Sequence, residues 1–288
     1  MRCIHIRACV GDRGSVDRTA EIIAVGNELL LGDVLDTNSH LLCVRLTRLG
    51  VSVRQVCQIR DEIQPISEAL SGALGRGTDL IMTIGGLGPT DDDLTLAGVS
   101  RALGTEMSLH PLALEWVRAK YEALARKGYV DSAEMTPPRV KMARLPAGAR
   151  PLMNRVGAAP GVFVQEGDHI IVSLPGVPAE LKDIFEGALY PALREWLGDG
   201  LFLEWKVTVN CGDESILAPL LRLVATAHPK VYVKSRARHL AASTRFLVTL
   251  STRGQDREEV ASLLNAAAEE LEKRLGDAGI EMVSLERA

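Results

Sequence analysis

The chain has 288 residues, of which 47% are hydrophobic, 24% charged and only 4% aromatic. That length accommodates one large domain and one small one around aliphatic, alanine-rich cores. A formal charge of −4 excludes a general attraction for nucleic acid or an anionic membrane surface.

The five cysteines (Cys3, Cys9, Cys43, Cys57 and Cys211) are odd in number and lack CxxC spacing. They exclude a disulfide framework and point to a reducing cytoplasm. No run reaches the ~18 apolar residues that a membrane span needs. Residues 1–19 carry Arg2, Arg7, Arg13 and Arg18 without an apolar stretch; this is expected to be an extension outside the fold rather than a secretory signal. Cys3, His5 and Cys9 within it are assigned to chance, not to a metal.

The first strand is predicted at residues 20–26, ending in Gly26. A connection rich in acidic and amide residues follows, holding Glu28, Asp33, Asp36, Thr37 and Asn38. Asn38 or Ser39 is expected to cap a helix whose apolar positions are Leu41, Leu42, Val44, Leu46 and Leu49, stopped by Gly50. Residues 51–56 alternate as a second strand. Asp61 lies in the next turn, before a helix through Ile63, Ile66, Ala69, Leu70, Ala73 and Leu74. Residues 80–84 form the third strand. This alternation implies right-handed crossovers and a mostly parallel sheet covered on both faces, an α/β three-layer arrangement.

Helices are expected next at 94–103 and 112–127, then a break at Pro137-Pro138 and a turn-rich stretch at 143–149. Residues 157–161 form a small-residue loop. A hairpin pairs 162–165 with 169–174 about Gly167-Asp168, adding an antiparallel strand to the sheet. Pro175-Gly176-Val177-Pro178 leads into a helix from 179 to about 188. The first domain is thus placed at 20–196. Residues 201–288 form a smaller α+β domain, with a three-stranded layer (205–209, 231–234, 246–251) covered by helices at 215–225 and 257–275. Its basic cluster (Lys230, Lys234, Arg236, Arg238, His239, Arg245) is read as a solvated face.

The chemistry is expected where the third strand delivers Gly85-Gly86-Leu87-Gly88-Pro89-Thr90-Asp91-Asp92-Asp93. Glycines let backbone N–H groups approach an anion, and a helix N-terminus adds partial positive charge. Carboxylates beside a phosphate would repel it unless a divalent cation lies between them. The plain alternative is a tight turn with a helix cap, but a cap needs only one Asp. Neither GxxxxGK[ST] nor GxGxxG occurs here. Ligands of open parallel sheets bind beyond the C-terminal ends of the strands. That rim gathers residues 28–38, Asp61 and residues 85–93. Pro175 and Gly176 form a second glycine–proline turn, readable equally as phosphate donor or as punctuation.

Four ordered motifs resemble the N-terminal domain of the CinA (competence/damage-inducible protein A) family. They are Gly26-Asn27-Glu28-Leu29-Leu30 with Gly32 and Asp36-Thr37-Asn38; Gly85-Gly86-Leu87-Gly88-Pro89-Thr90 with Asp92, Asp93 and Thr95; Gly157-Ala158-Ala159-Pro160-Gly161; and Leu174-Pro175-Gly176-Val177-Pro178-Ala179-Glu180. The match spans about residues 20–190. It implies the molybdopterin-binding fold of the MoaB/MogA proteins and a phosphorylated pterin or nucleotide as ligand. It also implies a divalent-metal-dependent ADP-ribose pyrophosphatase activity. In related molybdopterin adenylyltransferases, aspartates match Asp93 and Asp61. The nicotinamide mononucleotide deamidase activity of longer members is not carried over. Ala158 stands where a Thr is usual, Val177 where a Pro is usual, and Asp91 adds a charge at a variable position.

The resulting expectation is that Asp92 and Asp93, with Asp36 or Asp61, hold Mg²⁺ or a similar ion. Gly85, Gly86 and Gly88 supply backbone donors and Thr90 a hydroxyl, while Thr37, Asn38, Pro175 and Gly176 border the ligand. Glu28 or Asp61 takes the proton from water. Adenylyl transfer to molybdopterin and a nucleotide- or pterin-binding module without turnover are the alternatives. No nucleic-acid or membrane partner is expected; a homo-oligomer is allowed.

Overall fold

The computed structural model describes residues 18–197, 201–240 and 243–287, and the chain splits into two compact units. Most of the expected N-terminal extension, with its cysteines, lies outside the described residues. Its last two residues belong to the fold: Thr19 opens the first strand, and Arg18 pairs with Asp79 at 2.8 Å.

In the first unit the elements run β1 (Thr19–Val25), α1 (Asn27–Leu31), α2 (Thr37–Arg48), β2 (Ser52–Ile59), α3 (Ile63–Gly75), β3 (Leu80–Ile84), α4 (Thr95–Leu103), β4 (Met107–Leu109), α5 (Pro111–Arg126), α6 (Pro137–Lys141), β5 (Arg144–Pro146), β6 (Arg150–Leu152), β7 (Gly161–Glu166), β8 (His169–Leu174), α7 (Pro178–Ile184), a π-helical turn (Phe185–Leu189) and α8 (Tyr190–Leu197). The main sheet has the order β2-β1-β3-β8-β7-β6. Strands β2, β1, β3 and β8 are parallel, and β7 and β6 add antiparallel pairs at one edge. Every residue of β1 and β3 is buried, as expected of strands with helices on both faces.

Ile23, Val25, Ile81 and Ile171 pack with Ile66 and Leu70 of α3, Val99 of α4 and Val117 of α5. Strand alternation turns Ile22, Ala24 and Met82 to the other face. There Leu42 and Leu46 of α2 and Leu181, Ile184 and Phe185 are fully buried, and Arg45 of α2 meets Glu186 at 2.5 Å. The arrangement is the α/β three-layer fold expected from the sequence.

Several local expectations change. The connection after β1 contains a helical turn, α1, closed by Gly32 at φ 78°. Helix α2 is capped by Asp36, whose Oδ1 accepts from the Ser39 amide at 2.9 Å, and not by Asn38 or Ser39. Pro137 and Pro138 do not break the chain but open α6 from its first turn, where a proline lacks only an N–H that the helix leaves unbonded. The turn-rich stretch contributes β5, paired with β4.

The second unit contains β9 (Leu201–Asn210), α9 (Glu214–Ala227), β10 (Tyr232–Leu240), β11 (Ser243–Gly254), α10 (Arg257–Asp277) and β12 (Glu281–Arg287). Its sheet, β10-β11-β9-β12, is antiparallel throughout. Two βαβ units, β9-α9-β10 and β11-α10-β12, wound this way make a ferredoxin-like layer. The expected three strands are therefore four: β12 completes the sheet against β9. Leu217, Leu221 and Val224 of α9 and Val260, Leu264 and Leu271 of α10 cover Val207, Val209 and Val248.

Candidate functional site

The parallel strands end together at Val25, Ile59, Ile84 and Leu174, and the segments leaving them surround a cavity of about 620 Å³. Two turns abut at its base. The Gly85 amide donates to the Leu174 carbonyl at 2.9 Å, so that turn is tied to the end of β8. The Gly85 and Gly86 backbones hold φ 95° and φ 63°, and the buried Thr95 hydroxyl closes the turn on the Gly85 carbonyl at 2.8 Å. The amides of Gly86, Leu87 and Gly88 donate to no acceptor among the described residues. Such adjacent free N–H groups form an anion-binding concavity.

Four carboxylates of the expected site line this one cavity: Glu28, Asp61, Asp92 and Asp93. A fifth, Glu180, joins them from the first turn of α7. Glycines make room for three of the five. A Cβ on Gly26 would lie 2.5 Å from Glu28 Oε1, and one on Gly88 2.6 Å from Asp93 Oδ2. A Cβ on Gly157 would overlap Glu180 Oε2. Glycines quoted as motif residues thus let acidic side chains lie against the backbone.

Asp61 Oδ2 accepts from the Asn27 amide at 2.7 Å. Burial, and then the charges of Glu28, Asp92 and Asp93, push its carboxyl above the usual range despite that bond. Asp92 moves the other way, held down by the Thr90 hydroxyl, with Lys141 contributing. Asp93 Oδ2 accepts from both the amide and the hydroxyl of Thr90, at 2.8 and 2.6 Å. Lys141 Nζ, from the end of α6, donates to the Thr90 carbonyl.

Other expected site residues act differently. Thr90 spends its hydroxyl on Asp92 and Asp93 rather than facing a ligand. The Gly85 amide is likewise occupied, leaving Gly86 and Gly88 as donors. Asp36 caps α2, and Thr37 is that helix's exposed first residue; neither lines the cavity. Asn38 is buried and donates to the Gly176 carbonyl at 2.6 Å, so it braces the second turn rather than bordering the ligand. Pro175 and Gly176 do line the cavity. Sequence reasoning missed Tyr121, Met142 and Glu180 in the lining, and Asn154 and Lys141 behind it. Only Glu180 carried a signal, as the last residue of a quoted motif.

Among the described residues, no three or more His, Cys, Asp or Glu side chains are placed to hold a metal ion. The donor set fits Mg²⁺ nonetheless, because that ion commonly binds through one or two carboxylates and completes its shell with substrate phosphate and water.

A glycine turn with free amides and a ring of carboxylates, at the carboxyl edge of a parallel sheet, define an α/β protein built around a small-molecule crevice. Residues 21–195 match the family described as "Probable molybdopterin binding domain", and the chain belongs to that family. A protein of Aeropyrum pernix is 47% identical over 216 residues, covering 75% of this chain and 78% of its own. One from Pyrobaculum aerophilum is 40% identical over 253 residues, 88% and 92% of the two chains. The crystal structure of "the protein CinA with unknown function" from Thermoplasma acidophilum is 34% identical, with a TM-score of 0.56 over 61% of this chain and 98% of that one. The first unit is accordingly a CinA-like domain of the molybdopterin-binding type. No helix among the described residues is long and apolar enough to cross a membrane.

Proposed function

We propose that the first unit hydrolyses a nucleoside diphosphate linkage of the ADP-ribose type with the help of a divalent cation. One observation carries the reading: unbonded amides at Gly86–Gly88 and the carboxylates of Glu28, Asp61, Asp92 and Asp93 line the same cavity. The amides bind a phosphate. Asp92 and Asp93 would hold the cation, which would offset the charge developing on the phosphoryl oxygens. Thr90 and Lys141 fix these two aspartates in place. Asp61 is assigned as the base that takes a proton from the attacking water, because its carboxylate lines the same cavity and burial raises its affinity for a proton. Water adds to phosphorus as the bridging P–O bond breaks, releasing AMP and a sugar phosphate.

The test is incubation with ADP-ribose and Mg²⁺, following AMP release. Turnover should disappear on chelation and in Asp93→Ala. Release of AMP that is equal in the wild type and the Asp93→Ala variant would overturn the assignment. One observation favours a second reading, a pterin- or nucleotide-binding module without turnover: Ala158 lines the cavity without the hydroxyl that a Thr would bring there. Tight binding beside inert kinetics would select it.

A further inference from the structure

Glu180 occupies the third position of α7, after Val177, Pro178 and Ala179. A glutamate there commonly reaches back to the amide of the capping residue. This one turns away: its side chain's one hydrogen bond among the described residues comes from Asn154 Nδ2, at 2.7 Å to Oε2. Asn154 is only 8% exposed, and all its polar capacity goes into the same corner. Its Nδ2 also donates to the Ala159 carbonyl at 2.7 Å, and its Oδ1 accepts from the amides of Val156 and Gly157 at 3.0 and 2.7 Å. The loop thus folded around Asn154 meets Glu180 at Gly157, where any side chain would overlap the carboxylate. A buried amide and a close-packed glycine hold one acidic side chain in the cavity wall, while Oε1 is left without a partner and no cation pairs with the group among the described residues.

A second phosphate beside this charge would be repelled. A neutral group with two neighbouring donors would instead satisfy the free lone pairs in a charge-assisted contact. We propose that Glu180 is the specificity-determining carboxylate of the cavity, accepting a pair of adjacent hydrogen-bond donors from the uncharged end of the ligand. Two chemistries supply such a pair: the vicinal diol of a ribose, and the ring N–H with its 2-amino neighbour on a 2-amino-4-oxo ring such as guanine or a pterin. The inference rests on the phosphate lying at Gly86–Gly88, which orients the ligand.

The test is calorimetry with Mg²⁺ present, using inorganic pyrophosphate, ADP, 2′,3′-dideoxy-ADP, GDP and IDP on the wild type and on Glu180→Gln. The glutamine still accepts from Asn154 but presents an amide to the ligand. If the diol is read, the wild type prefers ADP to the dideoxy compound by about 10- to 100-fold; if the ring edge is read, GDP exceeds IDP by a similar factor. In either case the preference collapses in Glu180→Gln, while pyrophosphate binds both proteins alike. Pyrophosphate binding without either preference, or a preference unchanged in Glu180→Gln, overturns the role of Glu180 and leaves the phosphate turn standing. Failure of pyrophosphate to bind the wild type overturns the phosphate assignment, and the inference with it.

Discussion

Gly85→Ala tests whether the phosphate turn is locked by packing. Gly85 sits at φ 95°, and a Cβ there would overlap the Val25 carbonyl oxygen, with the carbonyl carbon only 3.4 Å away. The obstacle is the backbone of a central, fully buried strand, which cannot swing aside as a side chain does. The unfavourable backbone conformation costs about 1–2 kcal/mol and the overpacking about 1–3 kcal/mol. Together they predict a loss of about 2–5 kcal/mol. Two other glycines calibrate the terms. Gly128, at φ 73° with nothing within 4 Å of an added Cβ, isolates the conformational part, so Gly128→Ala should cost only about 1–2 kcal/mol. Gly75 ends α3 with nothing within 4 Å and no positive φ; Gly75→Ala should stabilise by about 0.5–1 kcal/mol. Urea unfolding of the three variants beside the wild type gives the order directly. If Gly85→Ala costs no more than Gly128→Ala, the turn is not held against β1 and its role as a rigid anion cradle fails.

Two further predictions use charge. Glu21 is 3% exposed and accepts from Arg76 Nε at 2.9 Å, Arg76 Nη2 at 2.6 Å and the Thr78 hydroxyl at 2.6 Å. The bond to Arg76 holds its carboxyl below the ordinary value. Its contribution is thus present above the unfolded-state pKa and is lost as pH falls through the lower folded-state value. Arg76→Ala should lower stability at neutral pH by leaving the buried Glu21 carboxylate without its cation, and flatten the acid limb of the stability profile; an unchanged limb in thermal melts would refute this. Asp61 has the opposite sign. Its folded-state pKa is raised, so its stabilising contribution is complete below the unfolded-state pKa and lost as pH rises through the folded one. Asp61→Asn, which still accepts from the Asn27 amide, should therefore raise the melting temperature at neutral pH, leave it little changed near pH 3, and abolish AMP release. Equal melting at neutral pH would show that the carboxylates do not crowd one another.

Elements carrying their own strong pattern were legible in the chain. The apolar run at 80–84 is β3 to the residue, because a strand buried on both faces needs no partner to reveal it. Helix α3, running from Ile63 through Leu74 to Gly75, was equally plain. Elements that exist through their neighbours were not. Strand β12 is mostly exposed and carries Glu281, Glu286 and Arg287 among its residues, and it is a strand because β9 offers it an edge. Strands β4 and β5 are three residues each and depend on each other. The choice of Asp36 over Asn38 as cap was invisible because both are good caps.

What the sequence determined alone was the parallel α/β frame, the glycine turn after the third strand, and the convergence of Glu28, Asp61, Asp92 and Asp93 on one rim. Strand order and crossover hand force that convergence whatever the side chains do. What only the tertiary structure decided was how each polar group is used. The Gly85 amide goes to Leu174, the Thr90 hydroxyl to Asp92 and Asp93, Asn38 to Gly176, and Asn154 to Glu180, with the partners of Gly85, Asn38 and Asn154 lying distant in the chain. A hydrogen bond depends on distances of a few tenths of an ångström between segments that only packing brings together, and no local spacing in the chain encodes them.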